Sequence, residues 1–215
     1  MVTSTHPGRL LDVEARRRLA EAVRTAERRT RGEIVLMVVR ACDEYGSAGW
    51  RLGVALAVAA FCGLHAFAAA QPWWIYLLAQ LAGLLLGHAL ARFDPLRRLL
   101  LGPRLADERV HERARSAFLE NGLARTHGRT GILVFVALLE RRVVVLADAG
   151  IHGVLDPGES WEEVVELALE GLRSGRAVQG LEAAIQRCGE ILGHHVPVSP
   201  ERNTDELPNA VVIEE

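Results

Sequence analysis

The sequence predicts an α/β fold: a small layered domain with a short mixed β-sheet flanked by helices, and a two-helix transmembrane hairpin inserted after the first strand. Two observations lead to this prediction. One is the stretch from Leu52 to Ala91, which contains no Asp, Glu, Lys or Arg. The other is the order of the remaining segments, which reads helix, strand, helix, strand, strand, helix, helix and is typical of α/β layers.

The uncharged stretch is long enough to cross a lipid bilayer twice. At about 1.5 Å rise per residue, two helices of about 20 residues each span a hydrocarbon core of about 30 Å. Pro72 interrupts the aliphatic run, and Trp50, Trp73 and Trp74 are predicted at the membrane–water interfaces, where tryptophan is enriched. We therefore predict a transmembrane hairpin over residues 49–92. The alternative is a buried hairpin, but the remaining chain is too short to enclose two apolar helices.

Basic residues flank the uncharged stretch and are absent from the loop of the predicted hairpin. They are Arg40 and Arg51 before the stretch, and Arg92, Arg97, Arg98 and Arg104 after it. Because basic residues near a span are retained on the cytoplasmic side, we expect a multi-pass protein with both termini in the cytoplasm. The segment 93–103, which carries Arg97 and Arg98 among apolar residues, is predicted to lie on anionic lipid at the interface. The lipid bilayer is therefore an expected partner.

Small and polar residues within the predicted spans suggest close packing of the two helices. The small residues are Ala55, Ala59 and Gly63 on the first span, and Gly83 and Gly87 on the second. His65, Gln80 and His88 are neutral polar groups that a helix pair satisfies by mutual contacts. Transport is the alternative role for these polar groups. Packing is the interpretation we prefer, because two helices alone enclose no pore.

Composition excludes other classes of protein. The formal net charge of −2 argues against a nucleic-acid-binding protein, which needs a basic face. Three cysteines without paired spacing suggest neither a disulfide framework nor a zinc site. The chain also lacks a nucleophile elbow and a phosphate-binding glycine loop, so no catalytic residue is predicted and an enzyme is not the favoured interpretation.

Outside the hairpin, one soluble domain is predicted over residues 9–48 and 104–195. Its helices are expected at 11–29, 107–124, 161–173 and 178–192, and its strands at 33–39, 131–139 and 143–147. The helix between the first two strands is a natural crossover, which makes these strands parallel, whereas the short turn after the second strand makes the third antiparallel. Residues 196–215 are predicted to be a flexible acidic tail.

This topology brings three polar residues to one edge of the sheet. Glu33 begins the first strand, while Asp148 and His152 follow the third. Two carboxylates are hard oxygen ligands for a divalent cation, and a neighbouring histidine suits acid–base chemistry. Glu33, Asp148 and His152 therefore form a candidate metal site. In the alternative, Asp148 caps a turn of its own backbone and Glu33 pairs with an arginine.

Several segments resemble the TPM domain family. The run from Glu27 to Val35 is similar to the Glu-x-x-Thr-x-Gly-Glu-Ile opening of that domain. Thr130 to Val134, Glu140 to Val143 and Asp148 to Ile151 look like its strand pair and the following turn. Asp205 to Asn209 is similar to the Asn-Glu-Leu-Pro tail of a bacterial membrane-anchored subgroup with a mid-domain hairpin. At Asp148 and His152 the chain departs from the Gly-x-Gly-x-Glu-like turn of secreted members.

The resemblance implies a TPM-like fold and a role at a bacterial inner membrane. Plant relatives are linked to photosystem II repair and were described as acid phosphatases, some bacterial members bind calcium, and bacterial members often accompany LemA-type membrane proteins. We therefore expect a membrane-anchored interaction module in membrane-protein maintenance or envelope stress, with a LemA-type partner. The alternative is a divalent-cation-dependent phosphatase that uses Glu33 and Asp148, with calcium as the cofactor that the resemblance implies.

Overall fold

The computed structural model describes residues 6–67, 71–152, 160–198, 207 and 211–214. It divides into two compact units. The sheet unit contains Met1–Cys42 and Asp107–Glu215, and the hairpin unit contains Asp43–Ala106. The hairpin unit is thus an insertion in the sequence of the sheet unit, which continues on both sides of it.

The sheet unit is built on a four-stranded mixed sheet of order β3-β2-β1-β4. The strands are β1 (Glu33–Val39), β2 (Gly131–Ala137), β3 (Arg142–Ala147) and β4 (Val212–Glu214). The predicted parallel pairing of β1 with β2 and antiparallel pairing of β2 with β3 are both confirmed. Strand β2 ends at Ala137, two residues before the predicted end, and the turn to β3 passes through Arg141 at a φ of 54°.

The helices comprise those that the sequence predicts, which lie close to their predicted positions, and three short ones that it does not predict, at Pro7–Leu10, Asp94–Leu100 and Ala149–His152. They are α1 (Pro7–Leu10), α2 (Val13–Glu27), α3 (Gly46–Phe67), α4 (Trp73–Leu90), α5 (Asp94–Leu100), α6 (Pro103–Glu120), α7 (Ala149–His152), α8 (Trp161–Arg173) and α9 (Ala177–His195), with a 3₁₀ turn at Leu123–Arg125. Asp12 caps α2 by accepting a 2.7 Å hydrogen bond from the Ala15 N–H. Helix α6 begins at Pro103, earlier than predicted, because proline is favourable in a first helical turn.

Helices cover both faces of the sheet and bury it. Alternate side chains of β1 and β2, such as Leu36 and Val134, pack with α2, α8 and α9, whereas their neighbours, such as Met37 and Phe135, pack with α6. Every residue of these two strands is buried. That explains their near-continuous apolar sequence, since a strand covered on both faces has no solvent-facing positions.

The connection between α2 and β1 is tightly packed. The Thr30 hydroxyl donates to the Val196 carbonyl at 2.7 Å and accepts the Gly32 N–H at 3.0 Å. A Cβ at Gly32 would lie 2.8 Å from a methyl group of Leu192, so a side chain there requires α9 to move. The Thr-x-Gly part of the TPM-like opening therefore holds the start of β1 against the end of α9.

The segment predicted to be a flexible tail contributes to the sheet. Strand β4 pairs in parallel with Met37–Val39 of β1, and Leu207 packs with the core on the α6 side. The prediction of a purely flexible tail is therefore wrong for Leu207 and for 211–214. A strand of three residues carries too little sequence periodicity to be recognised beside proline and acidic residues.

Candidate functional site

The hairpin unit contains two helices with the length and composition of membrane spans. The apolar windows are Gly49–Phe67 and Trp73–Leu90, and only 11% of each window is buried within the protein. The core helix of a soluble protein of this length is mostly buried. Large apolar side chains instead point outward, including Val58, Leu78 and Leu85. Both helices are therefore long and apolar enough to cross a membrane.

Glycines bring the two helices into backbone contact. A Cβ at Gly87 would lie 2.3 Å from the Gly53 Cα, and one at Gly83 would lie 2.9 Å from the Ala57 Cα. Close packing of small residues is thus confirmed, and Gly83 and Gly87 are on the contact as predicted. On α3, however, the contact face is Gly49, Gly53 and Ala57.

The predicted face of α3 was wrong by two positions. Ala55 and Ala59 are exposed, and no atom lies within 4 Å of a Cβ built at Gly63. Two series of small residues run along α3 at the same four-residue spacing, and spacing alone does not distinguish them. The glycines of the opposite helix, Gly83 and Gly87, determine which of the two series forms the contact.

Aromatic residues mark the two ends of the helix pair. The Trp50 ring lies 6.0 Å from that of His88, which stands near the end of α4, whereas Trp73 and Trp74 begin α4. About 15 residues separate Trp73 from His88, which corresponds to roughly 22 Å along a helix axis. The three tryptophans are 60%, 75% and 49% exposed, in the order of their numbers. The interface positions of the three tryptophans stay a prediction.

The segment after α4 forms the short helix α5, with basic and apolar side chains. Phe93 and Leu99 are 64% and 81% exposed. The Arg97 guanidinium lies 5.5 Å from the centre of the Tyr45 ring, and its Nη2 atom is 3.5 Å from the Asp43 carbonyl. Arg97 therefore also stabilises the hairpin unit, while Arg98 follows it on the same helix. Their predicted contact with anionic lipid stays a prediction.

The candidate metal site is partly assembled by the sheet. Gly131 is the register partner of Glu33, and its carbonyl accepts the Asp148 N–H at 2.9 Å. Glu33 and Asp148 therefore flank the same residue of β2, on strands about 10 Å apart. Both carboxylates are buried, at 6% and 5% exposure. His152 is the last residue of α7, and its side chain lies outside the described part of the structure.

The Asp148 carboxylate is bound by protein groups. Arg129 Nε and Nη2 donate to Asp148 Oδ1 at 3.2 and 3.0 Å, and the Ala149 N–H donates to Oδ1 at 2.7 Å. The hydrogen bonds from Arg129 to Asp148, together with the carboxylate charge, raise the pKa of Arg129. Of the alternative, the part in which Asp148 caps the turn that follows it is confirmed, whereas the pairing of Glu33 with an arginine stays a prediction. A cation at Asp148 has to displace Arg129.

The turn after β3, which resembles that of the TPM family, requires a glycine at position 150 because another loop packs closely against it. A Cβ at Gly150 would lie 2.3 Å from the Gly128 carbonyl, and the Gly150 N–H donates to the Arg129 carbonyl at 3.0 Å. Arg129 itself adopts a positive φ of 53°, which is unusual for a residue with a side chain. The two loops are thus held together around the Arg129–Asp148 ion pair. Among the described residues, no group of three or more His, Cys, Asp and Glu is arranged to hold a metal ion.

The sequence did not reveal a second charged cluster, which joins α6 to β4. Arg113 forms an ion pair with Glu120 at 2.9 Å and another with Glu214. Burial lowers the pKa of Arg113, but the hydrogen bonds to Glu214 and Glu120 more than offset this, and its pKa is raised overall. Because Glu214 is distant from Arg113 in the sequence, no spacing pattern indicates the contact between α6 and β4.

Comparisons with known proteins agree with this architecture. The TPM domain family model matches residues 98–191, which run from the end of α5 into α9. The NMR structure of the BA42 protein from the psychrophilic bacterium Bizionia argentinensis is similar, with a TM-score of 0.58 and 17% identity, over 99% of this chain and 98% of that one. At this identity the similarity concerns the fold alone. No curated protein matches the chain significantly.

The predicted resemblance is confirmed by the family match and by the fold that surrounds it. The matched residues contain the crossover helix α6, the β2–β3 pair and the two helices that cover one face of the sheet. Strand β1 completes that sheet from the other side of the insertion. Residues 98–191, which are just under half of the chain, are therefore similar to the TPM domain.

Proposed function

We propose that this protein is a membrane-anchored TPM-domain protein of the subgroup with a mid-domain transmembrane hairpin. Helices α3 and α4 cross a bacterial inner membrane, and the sheet unit and both termini lie in the cytoplasm. The observation that carries this proposal is the outward exposure of two apolar helices, in which no charged residue occurs from Leu52 to the end of α4 at Leu90. The arginines beyond both ends of the hairpin support the orientation, since its loop has none.

The sheet unit acts, in this proposal, as an interaction module in membrane-protein maintenance or envelope stress. A LemA-type membrane protein is the partner that we propose to test first. Asp148 is held by Arg129, which disfavours a role for this carboxylate as a ready ligand or nucleophile. A binding role is therefore better supported than the phosphatase alternative.

Membrane insertion is tested by a matched pair of arginine substitutions in the full chain. Leu81 lies at the middle of α4 and is 47% exposed, whereas Val13 lies on α2 and is 82% exposed. Leu81→Arg places a charge at the centre of a span, at a cost of about 2.5–3.5 kcal/mol, and should move protein from the carbonate-resistant membrane fraction to the soluble or degraded fraction. Val13→Arg should leave the distribution unchanged. Wild-type chain in the carbonate-soluble fraction would rule out insertion.

The interaction role is tested with the inserted, full-length chain. Affinity capture from detergent-solubilised membranes should recover a LemA-type protein with the wild-type chain and with Val13→Arg. Leu81→Arg should recover less, because the two proteins no longer share a membrane. Failure of the inserted wild-type chain to recover that protein would contradict the proposed partner.

A further inference from the structure

Strand β4 is a weakly held edge strand. It has three residues and pairs with only the last three residues of the seven-residue strand β1. None of the residues from Val211 to Glu214 is fully buried. The other strands of the sheet have six or seven residues. Little apolar area is therefore buried when β4 docks.

The energy terms that hold β4 are of similar size to those that oppose its docking. The side chains of Val212 and Ile213 are only partly buried, so they stabilise the docked strand less than fully buried Val and Ile side chains do. The Arg113–Glu214 ion pair, with side chains 22% and 44% exposed, contributes little because solvent screens it. The conformational entropy lost when each backbone residue is ordered opposes docking. The free energy needed to detach such a segment locally is well below the free energy of global unfolding.

Release of β4 uncovers a surface with defined recognition chemistry. The Arg40 N–H, which donates to the Glu214 carbonyl at 3.1 Å, becomes available together with the edge of β1. Val212 packs toward α6 and Ile213 toward the opposite core, while Glu214 meets Arg113 on α6. The edge thus accepts a parallel strand with the pattern apolar, apolar, acidic. Strand addition to a sheet edge is a common mode of peptide recognition.

We infer that the edge of β1 is a strand-acceptor site, occupied within the chain by β4, and that an extended apolar–apolar–acidic segment of a partner protein displaces β4. The inference rests on the proposed function, because it names how an interaction module recognises its partner. The main-chain hydrogen bonds supply affinity, and Arg113 selects a carboxylate at the third position.

A synthetic peptide with the sequence of Leu207–Glu215, labelled with fluorescein, tests the site in the full-length chain in detergent. In Glu214→Arg, the chain's own β4 is repelled by Arg113, so the peptide should bind at least tenfold more tightly than to the wild-type chain. Hydrogen exchange at the Arg40 amide should become faster in this variant and slow again with peptide. Equal peptide affinities of the two chains would overturn the inference.

Charge reversal tests the role of Arg113 against a control on the same helix. The Arg113→Glu variant should no longer bind the wild-type peptide, but it should bind a peptide with arginine in place of Glu214. Arg115→Glu, at an exposed position, is the control and should bind each of the two peptides as the wild-type chain does. Indistinguishable peptide preferences of the two variants would overturn the assignment. Circular dichroism confirms that each variant is folded.

The inference and the proposed function fail in different ways. If Glu214→Arg captures the membrane partner no better than the wild-type chain does, the strand-acceptor site is overturned and the proposed function stands. If the peptide binds as expected but no LemA-type protein is recovered, the acceptor site is supported and the proposed partner is removed.

Discussion

The carboxylate of Glu27 accepts a hydrogen bond from the backbone N–H of Ile34, with Oε1 2.8 Å from the nitrogen. Glu27 is the last residue of α2, where a negative charge is unfavourable to the helix dipole. The neighbouring Glu33 N–H donates toward β2, to the Thr130 carbonyl, so the Ile34 N–H points to the opposite edge of β1. Strand β4 pairs with β1 only from Met37 onward. Glu27 therefore supplies the hydrogen-bond acceptor for the Ile34 N–H, which lies on the same edge of β1 before β4 begins.

Replacing Glu27 should therefore destabilise the start of β1. Glu27→Ala leaves the Ile34 N–H without this acceptor and should cost about 1–3 kcal/mol, whereas Glu27→Gln keeps an acceptor and should cost less. Hydrogen exchange of the β1 amides, measured by mass spectrometry, reports the effect. Glu21→Ala, on the exposed side of the same helix, is the control. Equal protection of β1 in Glu27→Ala and Glu21→Ala would contradict this role.

Backbone contact between α3 and α4 predicts a strong dependence on Gly87. Gly87→Ala places a Cβ 2.3 Å from the Gly53 Cα and should cost about 1–3 kcal/mol, because the helices have to separate. Gly63→Ala is the control, since nothing lies within 4 Å of its Cβ. Unfolding in SDS, followed by circular dichroism of the full chain in mixed micelles, should show a lower midpoint for Gly87→Ala alone. Equal midpoints would show that the helices do not pack through this face.

The ion pair between Arg129 and Asp148 gives a direct test of the predicted cation site. If Glu33 and Asp148 bind calcium, Arg129 competes with it, and Arg129→Gln should raise calcium affinity severalfold in isothermal titration calorimetry. Asp148→Asn should then abolish binding and any phosphomonoester hydrolysis. Arg125→Gln, an exposed arginine in the same loop, is the control. If Arg129→Gln and the wild-type chain both fail to bind millimolar calcium, the cation site and the phosphatase alternative are removed.

Burial of Cys188 predicts a loss of stability at alkaline pH. The thiol lies in the core between α9 and the sheet, and burial raises its pKa to about 12. In the unfolded chain it ionises near its ordinary pKa of 9.0, so above that pH the unfolded state binds fewer protons than the folded state. The free energy of unfolding should then fall by up to about 1.4 kcal/mol per pH unit between pH 9 and 12.

Urea unfolding at a series of pH values checks this titration. In Cys188→Ala, the free energy of unfolding should fall less steeply with pH above pH 9, even if the smaller side chain lowers stability at neutral pH. Cys42→Ala is the control and should retain the wild-type slope. The chain contains no lysine, which keeps this pH range free of amine side chains. An unchanged slope in Cys188→Ala would mean that another group titrates.

The sequence predicted most of the sheet unit because its elements have clear patterns. Strands β1 and β2 are apolar on both faces, and the short turn between β2 and β3 admits only an antiparallel pair. Helix α8 begins and ends at the predicted residues, where Trp161 follows a serine and Arg173 precedes a glycine-containing turn. Local periodicity and turn chemistry are sufficient for such elements.

Features that depend on distant contacts were not predictable in the same way. The helix face that carries Gly53 depends on Gly87 of the opposite helix, and Arg113 meets Glu214 only after β4 has joined the sheet. Arg129 reaches Asp148 because two loops pack around Gly150. In each case the decisive partner is far away in the sequence, and neither spacing nor charge pattern identifies it.

The central claim, that the hairpin crosses the membrane with the sheet unit in the cytoplasm, is tested by cysteine labelling in spheroplasts. In a chain with Cys42, Cys62 and Cys188 replaced, single cysteines are introduced at Gln71, in the hairpin loop, and at Ser174, an exposed residue after α8. A membrane-impermeant maleimide should label Gln71→Cys in intact spheroplasts, and Ser174→Cys only after permeabilisation. Labelling of Ser174→Cys in intact spheroplasts, or protection of Gln71→Cys, would contradict the account.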